Sequence, residues 1–425
     1  MRSNRPVLLA LAVALLVAGP ASHLAVAAPV ASGPTGVSGV GSADAPRSGA
    51  AGAGLALVMN EQPNTTNYLG IADGDIERQG YAQPSLDVGA TLDREVSDWK
   101  TEYSTRTFEA AYGAADTQAE RVSRIRTELD RIEERIDGLD DRRQQALAAY
   151  NAGEISTQVF FGRLAAIDAG ARGVESRLQR LRAVAGLSLT TDLDTRLSSL
   201  EPGLLPLRGP VTERVGEAIE GDRESFTLYA VTATDGLVVA TADDPAFYRD
   251  AYLGSNRETV GQNQFSGDDR TGITSADRRA RELYPWAYAR ATPSLDGFPE
   301  TSVYRVTLNN PHGNLETYLD GRTTEAFREL QEKRLSSLPY RTSTVVDGPA
   351  RLRVNRTHGT GPMEVAVLDN ATGQPLNATV SVNGYRIGTT GSDGRLWTVT
   401  PQQGVRIDAE TESGRLLEFD FVSRD

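Results

Sequence analysis

Two stretches of the sequence carry apolar residues in alternating steps of three and four. The first comprises Val122, Ile125, Leu129, Ile132, Ile136 and Leu139, and the second comprises Leu164, Ile167, Ala171, Val174, Leu178 and Leu181. This spacing places each set along one side of an α-helix, as in a coiled-coil seam. A turn signal at 150–153 separates them, so residues 86–200 are predicted to form a long antiparallel helical hairpin.

The first arm of this hairpin is expected to begin near Val88. Its early apolar face would consist of Leu92, Val96, Trp99 and Tyr103. A continuous helix from there to Ala149 would be on the order of 90 Å long at about 1.5 Å per residue. Alternatively, Gly113 interrupts it.

Residues 201–210 contain three prolines and two glycines and cannot sustain a helix, so they mark a boundary. Residues 201–340 are predicted to form an α+β domain with two helix–β-hairpin units. The helices and strands are expected at 211–220, 226–233 and 237–242, and then at 276–290, 303–308 and 315–319. The pattern Tyr-x-Val-Thr begins at Tyr229 and again at Tyr304, which reflects either a duplication or a common strand tetrapeptide.

Residues 341–425 contain short alternating runs cut by a glycine about every ten residues, which is typical of a small β-sandwich. Its inward residues should be Val365, Val367, Val380, Val382, Val405 and Ile407. The chain as a whole is therefore predicted to be a multidomain α+β protein.

The N-terminus predicts export. Residues 1–28 resemble a secretory signal peptide, with Arg2 and Arg5, an apolar run, and a small-residue cleavage site at Ala27. The alternative is an uncleaved anchor, although the apolar run is shorter than the ~20 residues of a membrane span. Residues 29–58 are predicted to be a flexible linker and 59–85 an extended segment. We expect an extracellular or cell-surface location and no later transmembrane segment.

Four acceptor sequons for N-glycosylation suit an exported protein. They begin at Asn64, Asn355, Asn370 and Asn377.

The charge composition indicates a halophilic archaeal source. Lysine occurs only at Lys100 and Lys333, the rest of the 44 basic residues are arginine, and 57 residues are acidic. The net charge of −13 argues against nucleic acid as a partner. At ~1 M salt, where the Debye length is about 3 Å, such a surface stays soluble at little electrostatic cost. Without cysteine there is no disulfide framework or thiol catalysis.

No catalytic, cofactor-binding or metal-binding residue is predicted. His312 and His358 each lie next to a glycine, as polar turn residues do, and are less suited to be catalytic bases. The acidic pairs 243–244 and 268–269 fit a solvated acidic surface better than a calcium or acid–base site. Tyr284, Trp286 and Tyr288 form the densest aromatic group, which would pack a helix end or, alternatively, stack on a ligand.

Three resemblances add expectations about fold. Residues 372–384, 388–391 and 393–396 resemble a transthyretin-like or carboxypeptidase-regulatory-like β-sandwich, which implies an accessory module. Residues 313–321 resemble a PepSY-like unit, which implies binding or restraint of a protease. Over its mature length the chain resembles uncharacterised secreted haloarchaeal proteins, through the motifs at 67–71, 86–89 and 149–153.

These features favour a secreted or cell-surface, non-catalytic binding or structural protein. Its partner would be an unidentified protein or cell-envelope component. Two alternatives remain, a regulator of a secreted protease and a secreted hydrolase. A screen against peptide, ester and glycoside substrates would separate the hydrolase from the other two.

Overall fold

The computed structural model describes residues 58–267 and 271–421. The predicted signal peptide with its cleavage site at Ala27, and all of the predicted linker but its last residue, lie outside these ranges. The helices are α1 Val88–Gly113, α2 Gln118–Asn151, α3 Thr157–Ala185, α4 Thr191–Leu200, α5 Pro210–Glu220, α6 Ile273–Leu283 and α7 Pro285–Tyr288.

The strands before the C-terminal region are β1 Val58–Asn60, β2 Tyr68–Gly70, β3 Arg78–Ala82, β4 Leu228–Ala233, β5 Gly236–Asp243, β6 Ala246–Leu253, β7 Pro293–Phe298, β8 Val303–Asn310, β9 Gly313–Asp320 and β10 Ala326–Arg334. The C-terminal strands are β11 Arg341–Asp347, β12 Ala350–Arg356, β13 Pro362–Asp369, β14 Ala378–Val382, β15 Tyr385–Thr389, β16 Arg395–Val399, β17 Val405–Thr411 and β18 Leu416–Phe421.

The predicted first arm of the hairpin is two helices. Helix α1 ends at Gly113, and α2 starts anew with a capping box. The Thr117 side chain accepts from the backbone N–H of Glu120, and the Glu120 carboxylate accepts from the N–H of Thr117, both at 3.2 Å. This reciprocal pair satisfies two N–H groups that a helix start leaves free, so the break is built into the sequence.

Helices α2 and α3 lie antiparallel. Arg177 of α3 pairs with Glu128 of α2, and Gly170 lies against Leu139. Apart from the half-buried Val122, the predicted seam residues are buried. Ile136, Leu139 and Ile167 share one cluster as expected, but Leu164 belongs to a neighbouring one. Because α1 and α4 also pack on this pair, residues 86–200 form a helical bundle and not the two-helix hairpin predicted.

Strands β3 to β10 form one antiparallel sheet in the order β3-β4-β5-β6-β10-β9-β8-β7. The predicted hairpins are present as β4–β5 and β8–β9. Each, however, continues into a third strand that the sequence analysis missed, β6 or β10, and these two strands pair at the centre of the sheet.

The two halves of the sheet repeat in their strands but not in their helices. Tyr229 and Tyr304 each occupy the second position of the corresponding strand, and the register places both side chains on the same face. Helix α6 packs on that face, whereas α5 packs on the opposite one. A two-fold axis through the β6–β10 pair would place both helices on one face, so the helices do not follow the repeat of the strands.

The C-terminal β-sandwich is confirmed. One sheet has the order β11-β12-β13-β16 and the other β15-β14-β17-β18. All six residues predicted to point inward are buried. This core continues onto the Tyr229 face of the large sheet, where it meets Val231 and Val238. The backbone N–H of Gln402 also donates to the Tyr229 hydroxyl, at 2.9 Å, so the sandwich is bonded to the sheet as well as packed against it.

Candidate functional site

A buried ion pair lies at the centre of the large sheet, on the face that carries α6 and the β-sandwich. Arg249 of β6 donates from Nη1 to Glu329 of β10 at 3.0 Å, and neither side chain is exposed. A buried pair of this kind is stable only when its remaining hydrogen-bonding groups are satisfied as well. The surrounding elements provide those partners.

The predicted extended segment crosses over this ion pair. Arg249 Nη2 donates to the carbonyl of Leu69 at 2.6 Å, and the N–H of Leu69 donates to Glu329 Oε2 at 2.9 Å. Gln331 donates to Glu329 Oε1 at 2.8 Å, and the Asn67 amide donates to the carbonyl of Leu283 at the end of α6. The segment is therefore attached to both the sheet and α6.

Two further elements complete the network. Tyr284, next to α7, donates to Glu329 Oε2 at 2.8 Å. Arg249 Nε donates to Thr360 of the β-sandwich at 3.0 Å, and His358 of the same loop stacks on Tyr68 with ring centroids 3.8 Å apart. Burial raises the pKa of the Tyr284 hydroxyl well above its usual range, so Tyr284 is a neutral donor.

Lys333 lies on the same face of β10 and is only 4 % exposed. Burial lowers its pKa to about 7; the neighbouring Glu329 opposes this shift and Arg249 adds to it. Burial also raises the pKa of Glu329. Because its members are buried, this network acts as a structural junction between the sheet, α6–α7, the N-terminal segment and the sandwich, and offers no open catalytic surface.

The two histidines have different partners. His312 is half-buried, shares a 2.9 Å hydrogen bond with Thr65, and stacks on Trp286 at 4.6 Å. Burial lowers the pKa of both histidines, and the nearby Lys333 lowers both further. Each imidazole is therefore neutral at pH 7. Tyr284 and Tyr288 pack under α6 in the core, which agrees with the packing interpretation of the aromatic group.

The acidic pairs provide no metal centre within the described ranges. Asp243 forms an ion pair with Arg223 at 3.2 Å. The pair at 268–269 lies outside the described residues. Across 58–267 and 271–421, no three His, Asp or Glu side chains come together as a metal site would require.

The four sequon asparagines differ in accessibility. Asn64 and Asn370 are exposed. Asn377 is exposed too, but its side-chain N–H donates to Glu412 at 2.8 Å, and its side-chain oxygen accepts from the N–H of Gly391. Asn355 is half-buried within β12, and its amide donates to Glu364. Glycosylation of Asn355 would break its hydrogen bond to Glu364 of β13, so Asn64 and Asn370 are the better glycosylation acceptors.

Helix α1 exposes its apolar side to solvent. Five large apolar residues recur at helical spacing along this side, and Trp99 and Tyr103 are 76 % and 75 % exposed. We call Val88, Leu92, Val96, Trp99 and Tyr103 the α1 apolar face. Leu92, Val96, Trp99 and Tyr103 are the early apolar face predicted for the first arm of the hairpin. The α1 apolar face points away from the bundle, and nothing in the described ranges covers it.

The opposite side of α1 faces the bundle. Its N-terminal half carries small and polar residues, whereas Phe108 and Tyr112 near the C-terminal end pack in the bundle core. Thr101 lies close to Gly173 of α3. Next to this contact is a cleft of about 260 Å³, which we call the arginine cleft. It is lined by Ala90, Arg94, Ser97, Arg135, Arg142, Gly162, Ala165, Ala166, Ala169, Gly216 and Ile219. Sequence reasoning missed this cleft because its residues come from four separate helices.

Comparison with known families assigns the three regions. Residues 1–224, more than half of the chain, match the family described as "Domain of unknown function (DUF7096)". The chain belongs to that family. Residues 228–339 match the "Family of unknown function (DUF7094)", and residues 341–418 match the "Archaeal fibronectin-III type-like domain".

These matches make the chain a member of an uncharacterised archaeal family, and they relate its sandwich to fibronectin-III-type domains. No curated protein and no solved structure matches the chain. Among the described helices, none combines the length and the apolar character that crossing a membrane requires.

Proposed function

We propose that this chain is an exported, non-catalytic binding and structural protein at the surface of a halophilic archaeon, and that it works as a dimer. The observation that carries the proposal is the uncovered α1 apolar face. Its five side chains expose on the order of 600 Å², which is at the upper end for the largest apolar patch of a monomer. A surface of this kind marks an interface.

The geometry of the α1 apolar face favours a second copy of this chain as its binding partner. In an antiparallel pair of α1 helices, a two-fold axis between Val96 and Trp99 sets Trp99 opposite Val96 of the second copy. The same axis sets Tyr103 opposite Leu92 of the second copy. Each large ring therefore meets a smaller aliphatic side chain. A standard interface takes ~800 Å² from each partner, so the face and its rim supply enough area.

The charge of the chain makes this association dependent on salt. Two exported chains repel at low ionic strength, since each carries a net charge of −15 once residues 1–28, with two arginines and no acidic residue, are removed. In molar salt the Debye length falls to about 3 Å and the repulsion is screened, while apolar burial is retained. Dimerisation is therefore expected to strengthen as salt rises, which suits the halophilic source that the composition indicates.

Sedimentation equilibrium of the exported chain in molar KCl tests the proposal. The wild type should be a dimer, and Trp99→Glu should be a monomer because it places a carboxylate in the centre of the interface. Val260→Glu is the matched control, since Val260 is an apolar residue 85 % exposed in a distant loop. A monomeric wild type, or a Trp99→Glu variant that still dimerises, would refute the dimer.

Export and the absence of catalysis are separate parts of the proposal. Export is supported by the signal-peptide pattern of residues 1–28. A non-catalytic role is supported by the placement of the two histidines, since His312 is hydrogen-bonded to Thr65 and stacked on Trp286, and His358 is buried and stacked on Tyr68. The secreted-hydrolase alternative predicts turnover in a screen of peptide, ester and glycoside substrates, and reproducible turnover would replace the binding function.

We propose two further features, coiled-coil pairing of α2 with α3 and restraint of a protease. Coiled-coil pairing of α2 and α3 is supported by their antiparallel contact. Protease restraint is supported only by the helix–hairpin arrangement of α6 with β8–β9, which a PepSY-like unit would have. Inhibition of a secreted protease by the purified chain would favour it over a purely structural role.

A further inference from the structure

The arginine cleft lies between α1, α2, α3 and α5. Its floor is formed by α3, where Gly162, Ala165, Ala166 and Ala169 present almost no side chain. The small floor leaves open a space of about 260 Å³ that longer side chains would fill. The walls are supplied by the other three helices, and three of the wall residues are arginines.

The three arginines carry an excess of positive charge at this cleft. Arg94 forms an ion pair with Glu220 at 2.6 Å. Arg135 and Arg142 are seven residues apart on α2 and so lie on one side of that helix. Among the described residues, neither has a carboxylate within ion-pair distance, in contrast to Arg177 and Arg196 of the same bundle. The cleft therefore carries about two uncompensated positive charges.

The surroundings place these guanidinium groups close together. Burial and the charges of Arg142 and Arg177 lower the pKa of Arg135, so the group lies in a cationic environment. A Cβ at Gly216 would lie 2.6 Å from Arg94 Nη1, so glycine at this position leaves room for that guanidinium in the cleft. Cations that repel one another within a recess are stabilised when an anion enters.

We propose that the arginine cleft binds a doubly charged tetrahedral oxyanion, sulfate or phosphate, either free or as the terminal group of a larger molecule. Two negative charges balance those of Arg135 and Arg142, and planar guanidinium forks match such oxyanions with paired N–H···O bonds. The alanine floor and Ile219 leave apolar room beside the anion for a short carbon chain.

The experiment measures binding of inorganic sulfate and phosphate to the full exported chain by calorimetry, at constant molar KCl. The test variant is Arg135→Gln/Arg142→Gln. The matched control is Arg124→Gln/Arg126→Gln, which removes two exposed arginines from α2 outside the cleft. We expect the wild type and the control to bind alike and the test variant to bind at least tenfold more weakly.

A second variant controls for a loss of binding caused by misfolding. Arg135→Lys/Arg142→Lys keeps the charge and should retain weaker but measurable binding. Equal binding by the test and control variants, or no binding of either ion by the wild type in this salt or in dilute KCl, would overturn a site for the free ion.

Vesicles distinguish the source of the anion. Vesicles containing phosphatidic acid present a phosphate monoester, and phosphatidylcholine vesicles are the control. Binding of inorganic ion alone assigns the cleft to a free ion, whereas binding to phosphatidic acid that depends on Arg135 and Arg142 assigns it to a headgroup. Failure in both formats refutes the proposal. The dimer proposal is tested separately, by sedimentation of the wild type and Trp99→Glu without added sulfate or phosphate, because it depends on the opposite side of α1.

Discussion

Lys333 provides a sharp test of how the buried junction is held. A chain that uses arginine almost everywhere else has lysine at this position, beside Arg249 and Glu329. Arginine stays protonated at all practical pH values, whereas lysine can lose its proton when buried. Glu329 is already paired with Arg249, so a second fixed cation would have no partner of its own. We therefore expect that the site requires a base that can be neutral.

The expected loss of stability in Lys333→Arg follows from the pKa of Lys333. Burial lowers the pKa of Lys333 from 10.5 to about 7. At about 1.4 kcal/mol per pKa unit, holding a permanent charge at this position costs on the order of 5 kcal/mol as an upper bound. Structural relaxation reduces this, so Lys333→Arg should lower the free energy of unfolding by about 3 kcal/mol. Lys333→Met, which carries no charge, should change it by about 1 kcal/mol or less at neutral pH.

The sign of the pH dependence gives a second readout. Between pH 7 and 10 the unfolded chain binds a proton at Lys333 that the folded chain does not. Wild-type stability should therefore rise with pH in this window, by at most about 1.4 kcal/mol per pH unit, and Lys333→Met should lack that rise. Burial raises the pKa values of Tyr81, Tyr229 and Tyr284, so these tyrosines titrate above this window, and they affect both proteins alike.

Urea unfolding followed by far-UV circular dichroism, at constant molar KCl, measures both quantities. The histidines nearest to Lys333, His312 and His358, are neutral throughout the window because their pKa values are lowered. A Lys333→Arg variant as stable as the wild type at neutral pH would contradict a neutral Lys333. A Lys333→Met variant that retains the wild-type rise in stability would contradict it equally.

Two further predictions concern the bundle and the N-terminus. Ile136→Asp should cost about 3 kcal/mol or more, because it places a charge in a buried seam, whereas Glu134→Asp at an exposed position should change stability by about 0.5 kcal/mol or less. Equal losses in urea unfolding would contradict the seam. The exported protein should begin at Ala28 or Pro29, and N-terminal sequencing that finds Met1 in a membrane fraction would contradict cleavage.

The sequence predicted those parts of the fold in which neighbouring residues repeat a simple pattern. The three–four spacing of α2 and α3 and the alternation of the sandwich strands both report burial on one side of an element. Strands β6 and β10 were missed for the opposite reason. Arg249, Glu329 and Lys333 interrupt the apolar alternation. Arg249 and Glu329 can be buried because Leu69 and Thr360, distant in sequence, hydrogen-bond to them.

The candidate sites were harder to predict because each depends on which side of an element faces the protein. The apolar spacing of α1 predicts a helix correctly, but periodicity alone does not say whether the apolar side meets the same chain or another surface. The arginine cleft gives no local signal, since Arg94 and Arg135 are ordinary residues of charged helices. The one local signal was Lys333. Lysine is rare in this arginine-rich chain, so its use here marks a position that requires a base able to be neutral.

The two proposed surfaces lie on opposite sides of the same helix, and this couples them. The N-terminal half of the side of α1 that packs on the bundle is small and polar, so that half buries little apolar area, whereas Phe108 and Tyr112 hold the C-terminal end. Arg135 and Arg142, which have no carboxylate partner among the described residues, weaken the packing of the N-terminal half further. An oxyanion in the cleft would remove that repulsion only when α1 is docked. Docking also holds the α1 apolar face outward for a second copy. To the extent that the N-terminal half of α1 undocks in the absence of the anion, anion binding strengthens dimerisation, and by linkage dimerisation raises the affinity for the anion by the same factor.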